Sequence, residues 1–128
     1  SEIIGDRKVI VIGHSVGGAT AAHLCATDKR CIKGINMDGS PAYKETLPVP
    51  FLYLQADAGT YCDKECLDGR ALMETITTDS KTKMIHIPGI KHYNFTDRRD
   101  EDLYKQDYLS QSDGRDIVVQ KIIEFINQ

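Results

Sequence analysis

The chain has 128 residues, a length suited to one domain, with a net charge of −3 and 27% charged side chains. That balance gives no argument for a nucleic-acid partner or a strongly anionic surface partner. No apolar run is long enough to span a bilayer, and the N-terminus shows no signal-peptide pattern, which a mature or trimmed chain would also lack.

Val9–Ile12 is a continuous apolar run, the pattern of a central parallel strand buried on both faces. It leads directly into Gly13-His14-Ser15-Val16-Gly17. A helix is expected from about 17 to 27, where Ala19, Ala21, Ala22, Leu24 and Cys25 suit close packing against a sheet. Ile32–Met37 reads as a second strand, stopped by Gly39 and Pro41. Residues 42–49 read as a polar loop. Phe51–Leu54 is a third strand, and a helix is expected from about Lys64 to Thr77, with Leu67, Ala71, Leu72 and Ile76 on one face. Lys83–Ile87 is a fourth strand, closed by Pro88-Gly89. A charged excursion is expected at about 98–113. Ser112 or Asp113 can then cap a final helix carrying Val118, Ile122, Phe125 and Ile126 at helical spacing.

Strands alternating with helices imply an α/β fold with a mostly parallel sheet, helices on its faces and right-handed crossovers. Ligands of such sheets bind beyond the carboxyl ends of the strands. Ser15, Asp38, Asp57 and His92 all fall just past strand ends. The segment Gly13-His14-Ser15-Val16-Gly17 has the G-x-S-x-G form of a nucleophile elbow, in strand–turn–helix context. The turn is so tight that Cβ atoms at Gly13 and Gly17 are expected to collide with neighbouring backbone. The bland alternative is a Gly-Ser turn without chemistry.

A serine nucleophile needs a base, and the base needs a carboxylate to fix its tautomer. In the α/β-hydrolase fold the order is serine, acid, histidine. His14 lies inside the elbow, with its ring expected to point away from the hydroxyl. His23 is mid-helix and His86 is within a strand, which leaves His92 as the candidate base. Asp38 and Asp57 compete for the acid, and each could instead be a turn former. Many hydrolases of this fold carry Gly-Ala-Asp-x-Asp after the third of these strands, with the second Asp catalytic. Here the segment is Gln55-Ala56-Asp57-Ala58-Gly59, so Gly59 stands at that position. Asp38 is therefore the first choice and Asp57 the alternative. The Val16 N–H supplies one oxyanion donor. The second normally comes from a loop after an earlier strand.

Because strands usually precede the elbow in this fold, the chain is expected to be the C-terminal half of an α/β-hydrolase domain. Its sheet would be completed by an N-terminal half of the same domain or by another chain. Alone as a monomer it is expected to be unstable, since a parallel strand without a neighbour exposes an apolar edge. The four cysteines Cys25, Cys31, Cys62 and Cys66 lack the C-x2-C spacing of a zinc site. A disulfide within Cys25/Cys31 or Cys62/Cys66 and buried free thiols both remain open.

Gly13-His14-Ser15-Val16-Gly17-Gly18-Ala19-Thr20 resembles the elbow of the platelet-activating-factor acetylhydrolase family. Met37-Asp38-Gly39 is similar to that family's acid segment, and His92-Tyr93-Asn94-Phe95-Thr96-Asp97 to its His-x-x-Phe-x-Asp segment. The resemblance covers most of residues 8–97; cutinase- and dienelactone-hydrolase-like proteins share its weaker features. It implies cofactor-free, calcium-independent ester hydrolysis through an acyl-enzyme, with Ser15, His92 and Asp38 as the triad. The implied substrates are small-molecule esters, of short-acyl (phospho)lipid or polyester type. No cofactor and no metal are expected, and no apolar membrane-docking helix is evident. A thioesterase, lactonase or peptidase would use the same triad, and a non-catalytic or incomplete hydrolase fragment is the reading from another class.

Overall fold

The computed structural model describes residues 4–40, 47–57, 64–76, 81–96 and 111–128. Four strands, β1 (Val9–His14), β2 (Cys31–Met37), β3 (Phe51–Gln55) and β4 (Thr82–His86), form one sheet in the order β1-β2-β3-β4. All three pairings are parallel, with His14 opposite Met37, Met37 opposite Leu54, and Gln55 opposite His86. All four strands thus end along one edge. Three α-helices, α1 (Val16–Thr27), α2 (Lys64–Ile76) and α3 (Gln111–Ile126), and a short 3-10 turn, His92–Phe95, complete the described elements.

The core has two layers, one on each face of the sheet. On one face Ala21, Ala22 and Cys25 of α1 pack on Cys31, Phe51 and Tyr53, together with Leu47. Alanines there bring the helix axis close, as the composition of residues 17–27 implied. On the other face Val118 and Phe125 of α3 pack on Ile35, Leu52, Leu54, Ile87 and Ile90. The end of α3 is held by Lys33, whose Nζ donates to the carbonyls of Phe125 (3.0 Å) and Ile126 (3.2 Å). A cation there also complements the helix dipole.

Cys25 and Cys31 form a disulfide with Cα atoms 5.1 Å apart. It closes the end of α1 onto the start of β2, around a turn in which Asp28 carries a bidentate pair with Arg30. Cys62 and the side chain of Cys66 lie outside the described residues.

Several expectations change. Val9–Ile12 has the apolar run of a central strand, and within the four described strands β1 lies at the edge, the position expected for a strand that lacks a neighbour on one side. Ile10 and Ile12 are 38% and 43% exposed. Periodicity reports how apolar a strand is, not which neighbours it has. Leu67 and Leu72 of α2 are exposed, and the side chain of Ile76 lies outside the described residues. Strand β1 runs on to His14, β2 begins at Cys31, β3 ends at Gln55 and β4 spans Thr82–His86. The final helix begins at Gln111, ahead of both expected caps, with Asp113 in its first turn. Pro41, Gly59, Thr77, Asp97 and the charged stretch through residue 110 lie outside the described residues.

Candidate active site

Ser15 sits between the last residue of β1 and the first of α1, with φ 56° and ψ −124°. A non-glycine residue held at positive φ costs of order 1–3 kcal/mol and persists only where its surroundings over-determine it. Here the Ser15 N–H donates to the Met37 carbonyl (2.9 Å), and its own carbonyl accepts from Gly18 (2.9 Å) and Ala19 (3.3 Å). The glycine requirement differs from the expectation. A Cβ at Gly13 would run into the Gly17 carbonyl, but one at Gly17 would meet nothing. Around this turn the other crowded positions are Gly18, against the Asn36 side chain, and Gly39, against the Ser15 carbonyl. The Gly13–Gly17 approach lies within the five-residue motif, whereas those of Gly18 to Asn36 and of Gly39 to Ser15 tie the turn to the end of β2 and are long-range approaches that the motif does not contain.

Asp38 follows β2 with φ 54°. Its turn is held by buried Asn36, whose Oδ1 accepts from the Gly39 N–H at 2.7 Å. The Asp38 N–H donates to the Leu54 carbonyl (2.8 Å). Its side chain is 5% exposed and fully engaged. Oδ1 accepts from the Ala56 N–H and from Arg70 Nη2, both at 2.8 Å. Oδ2 lies 2.7 Å from His92 Nδ1. Arg70, from α2, also donates through Nη1 to the Ala56 carbonyl (2.9 Å).

His92 opens a short 3-10 turn, His92–Phe95, just beyond β4. The segment leading to it is tied to the end of β3. Ile87 N–H donates to the Gln55 carbonyl and Asp57 N–H to the Ile90 carbonyl. The Asp57 carboxylate accepts from Gly89 N–H (2.7 Å), where φ is 78°, and pairs with His86 Nε2 (2.7 Å). Within the turn, Asn94 Oδ1 accepts from Lys91 N–H (2.8 Å). The structure thus brings Asp38 to His92, whereas Asp57 meets His86 and shapes the loop. His23 is exposed on α1.

His14, the last residue of β1, turns toward His92. Its Nε2–H donates to the His92 carbonyl (2.9 Å), and the two rings lie 4.5 Å apart between centroids. Burial pushes the His14 imidazole below its usual value, against the pull of this hydrogen bond. The neutral ring then carries its proton on Nε2. Val16, the first residue of α1, presents an N–H without an intrahelical acceptor. As the residue capping α1, Ser15 makes no side-chain hydrogen bond to the first turn of that helix, so its hydroxyl is not committed there.

Arg70, Asn36 and His14 carried no sequence signal for these contacts. Arg70 reads as one charge on a polar helix, and Asn36 as a polar residue in a strand. Among the described residues no group of three His, Cys, Asp or Glu side chains is placed to hold a metal ion. Among them, too, no helix is long and apolar enough to cross a membrane.

A parallel sheet sandwiched by helices, with a serine on a strained strand–helix turn at its carboxyl edge, is the α/β-hydrolase fold. A family model described as platelet-activating factor acetylhydrolase, isoform II, matches residues 2–99, and the chain belongs to that family. It is 30% identical over 95 residues to the platelet-activating factor acetylhydrolase of Canis lupus familiaris, covering 70% of this chain and 20% of that protein. The protein of that name from Bos taurus is 30% identical over 96 residues, with the same coverages. That from Cavia porcellus is 28% identical over 96 residues, 70% of this chain and 21% of its own length. The chain spans about a fifth of the length of these curated relatives.

Proposed function

We propose that the chain carries the catalytic triad of a serine ester hydrolase, with Ser15 as nucleophile, His92 as base and Asp38 as the carboxylate that orients it. The 2.7 Å approach of Asp38 Oδ2 to His92 Nδ1 is the observation that carries this reading. An acceptor on Nδ1 favours the tautomer with its proton there, which leaves Nε2 free to take a proton. Membership of the acetylhydrolase family supports ester rather than amide cleavage. The relatives' name makes the acetyl ester of platelet-activating factor the first substrate to try.

In the proposed cycle, Ser15 Oγ attacks the ester carbonyl carbon as its proton passes to His92 Nε2. The tetrahedral oxyanion is met by the Val16 N–H at the positive end of α1. Collapse breaks the bond to the alkoxy oxygen, which leaves as the alcohol with the proton from His92. Water then attacks the acyl-serine, gives its proton to His92, and the acid departs as that proton returns to Ser15 Oγ. No step calls for a cofactor.

The same reading extends to the sheet edge. The edge position of β1, with Ile10 and Ile12 exposed on one of its faces, supports a further segment there, the N-terminal half of the domain or another chain, which would complete the sheet and supply the second oxyanion donor. Ser15→Ala in the full-length protein tests the proposal. Hydrolysis of a p-nitrophenyl ester is expected to fall to the background rate, and retention of the wild-type rate would overturn the assignment.

A further inference from the structure

The reading above leaves His14 unused, although it makes two separate contacts with the proposed base. We infer that His14 is a positioning residue that braces His92, an inference that rests on the triad reading and deepens it. The hydrogen bond from Nδ1 to Asp38 sets the distance of the His92 ring from the acid, and Tyr93 stands edge-on to that ring at 5.3 Å between centroids; the tilt of the ring about the bond depends on what packs on its faces. His92 also stands on a one-turn helix in a connecting segment, where backbone motion is easier than within a strand.

His14 contacts both the backbone and the ring of His92. Its Nε2–H on the His92 carbonyl (2.9 Å) pins the backbone of the base. Its ring, 4.5 Å from the His92 ring and tilted 38° to it, occupies one side of that ring. Phe95, with its ring centroid 6.0 Å from that of His14, flanks the pair. The brace comes from the residue adjoining the nucleophile. His14 closes β1, paired with Met37, and the next residue is Ser15 in its strained conformation. One dipeptide therefore fixes the serine and the support of its base together, so the two move as a unit. A neutral His14 also keeps a second positive charge away from His92 when that ring becomes an imidazolium. Placement of the base within a fraction of an ångström matters, because a shift of about 1 Å in a reacting group costs on the order of 100-fold.

Three substitutions in the full-length protein separate the contacts. His14→Gln keeps a donor for the His92 carbonyl, His14→Phe keeps a ring face, and His14→Ala loses both. The brace predicts that kcat falls on the order of 100-fold in His14→Ala while KM and Tm move little. Gln and Phe should each restore part of it. It also predicts that the far-downfield proton resonance of the His92–Asp38 hydrogen bond broadens in His14→Ala and sharpens again in His14→Gln. That resonance reports the bracing of His92 whether or not Ser15 is the nucleophile, so failure of the triad reading in Ser15→Ala is distinguishable from failure of the brace. Wild-type kcat with a sharp resonance in His14→Ala would overturn the inference. So would kcat, KM and Tm falling together in all three variants, since that marks general structural damage.

Discussion

Replacing Asp38 with asparagine probes the site through the geometry of one carboxylate. Oδ1 of Asp38 receives two donors, the Ala56 N–H and Arg70 Nη2. An asparagine must therefore place its carbonyl oxygen there, because its NH2 would face two other donors. The NH2 is then forced onto the His92 side, 2.7 Å from Nδ1 in the native site. Facing a donor, Nδ1 must become the acceptor, and the imidazole proton moves to Nε2. That tautomer cannot take the proton of Ser15. A wrong-tautomer lesion in a serine triad costs on the order of 10⁴ in turnover, or about 5 kcal/mol of barrier. Fold and substrate contacts remain, so KM should change little. The assay is steady-state hydrolysis of a p-nitrophenyl ester by the full-length protein, with Asp57→Asn alongside. At Asp57 an asparagine can keep its oxygen on Gly89 N–H and offer its NH2 to His86, so turnover should stay near wild type. A loss below about tenfold in Asp38→Asn, or a larger loss in Asp57→Asn, would refute the reasoning.

Two further predictions concern stability. Reducing the Cys25–Cys31 disulfide, whose cysteines are six apart in sequence, should cost about 2 kcal/mol by the loop-entropy relation. Urea unfolding with and without reductant measures this, and two titratable thiols at these positions in the native, unreduced protein would contradict the bond. His14 has its pKa lowered by burial, so the unfolded chain binds this proton more readily than the folded one. Stability is then complete above the ordinary histidine value of about 6.5 and falls as pH drops below it, by at most about 1.4 kcal/mol per pH unit. Unfolding free energies of wild type and His14→Gln between pH 5 and pH 8 check the sign; the variant should show a shallower decline at low pH, and an equally steep one would remove His14 as the cause.

Much of this architecture is legible along the chain, because buried parallel strands and their terminators are local signals. The run into Gly13-His14-Ser15, the small-residue face of α1 and the helical spacing of Val118 and Phe125 each encode an element and its buried side. What the sequence does not show is pairing across the fold. β1 reads as a central strand and lies at the edge of the four described strands; a strand's composition does not name its neighbours. Leu67 and Leu72 keep helical spacing and are exposed. The motif names Gly13, whose Cβ would meet the Gly17 carbonyl, and Gly17, whose Cβ would meet nothing; the crowding at Gly18 and Gly39 comes from the end of β2 beside the turn. Ser15, Asp38 and His92 stood out by their places after strand ends. The Arg70 clamp, the Asn36 turn and the His14 contact join residues far apart in sequence, and none has a local pattern.

The claim that Ser15 is the nucleophile is tested most directly by mapping the site of covalent modification by a fluorophosphonate probe in the full-length protein. The probe loses fluoride as a serine oxygen bonds its phosphorus, so only an activated serine labels efficiently. The account predicts one adduct by peptide mass spectrometry, on Ser15, absent in Ser15→Ala and strongly slowed in Asp38→Asn. An adduct on a different serine, or undiminished labelling of the Ser15→Ala protein, would contradict it.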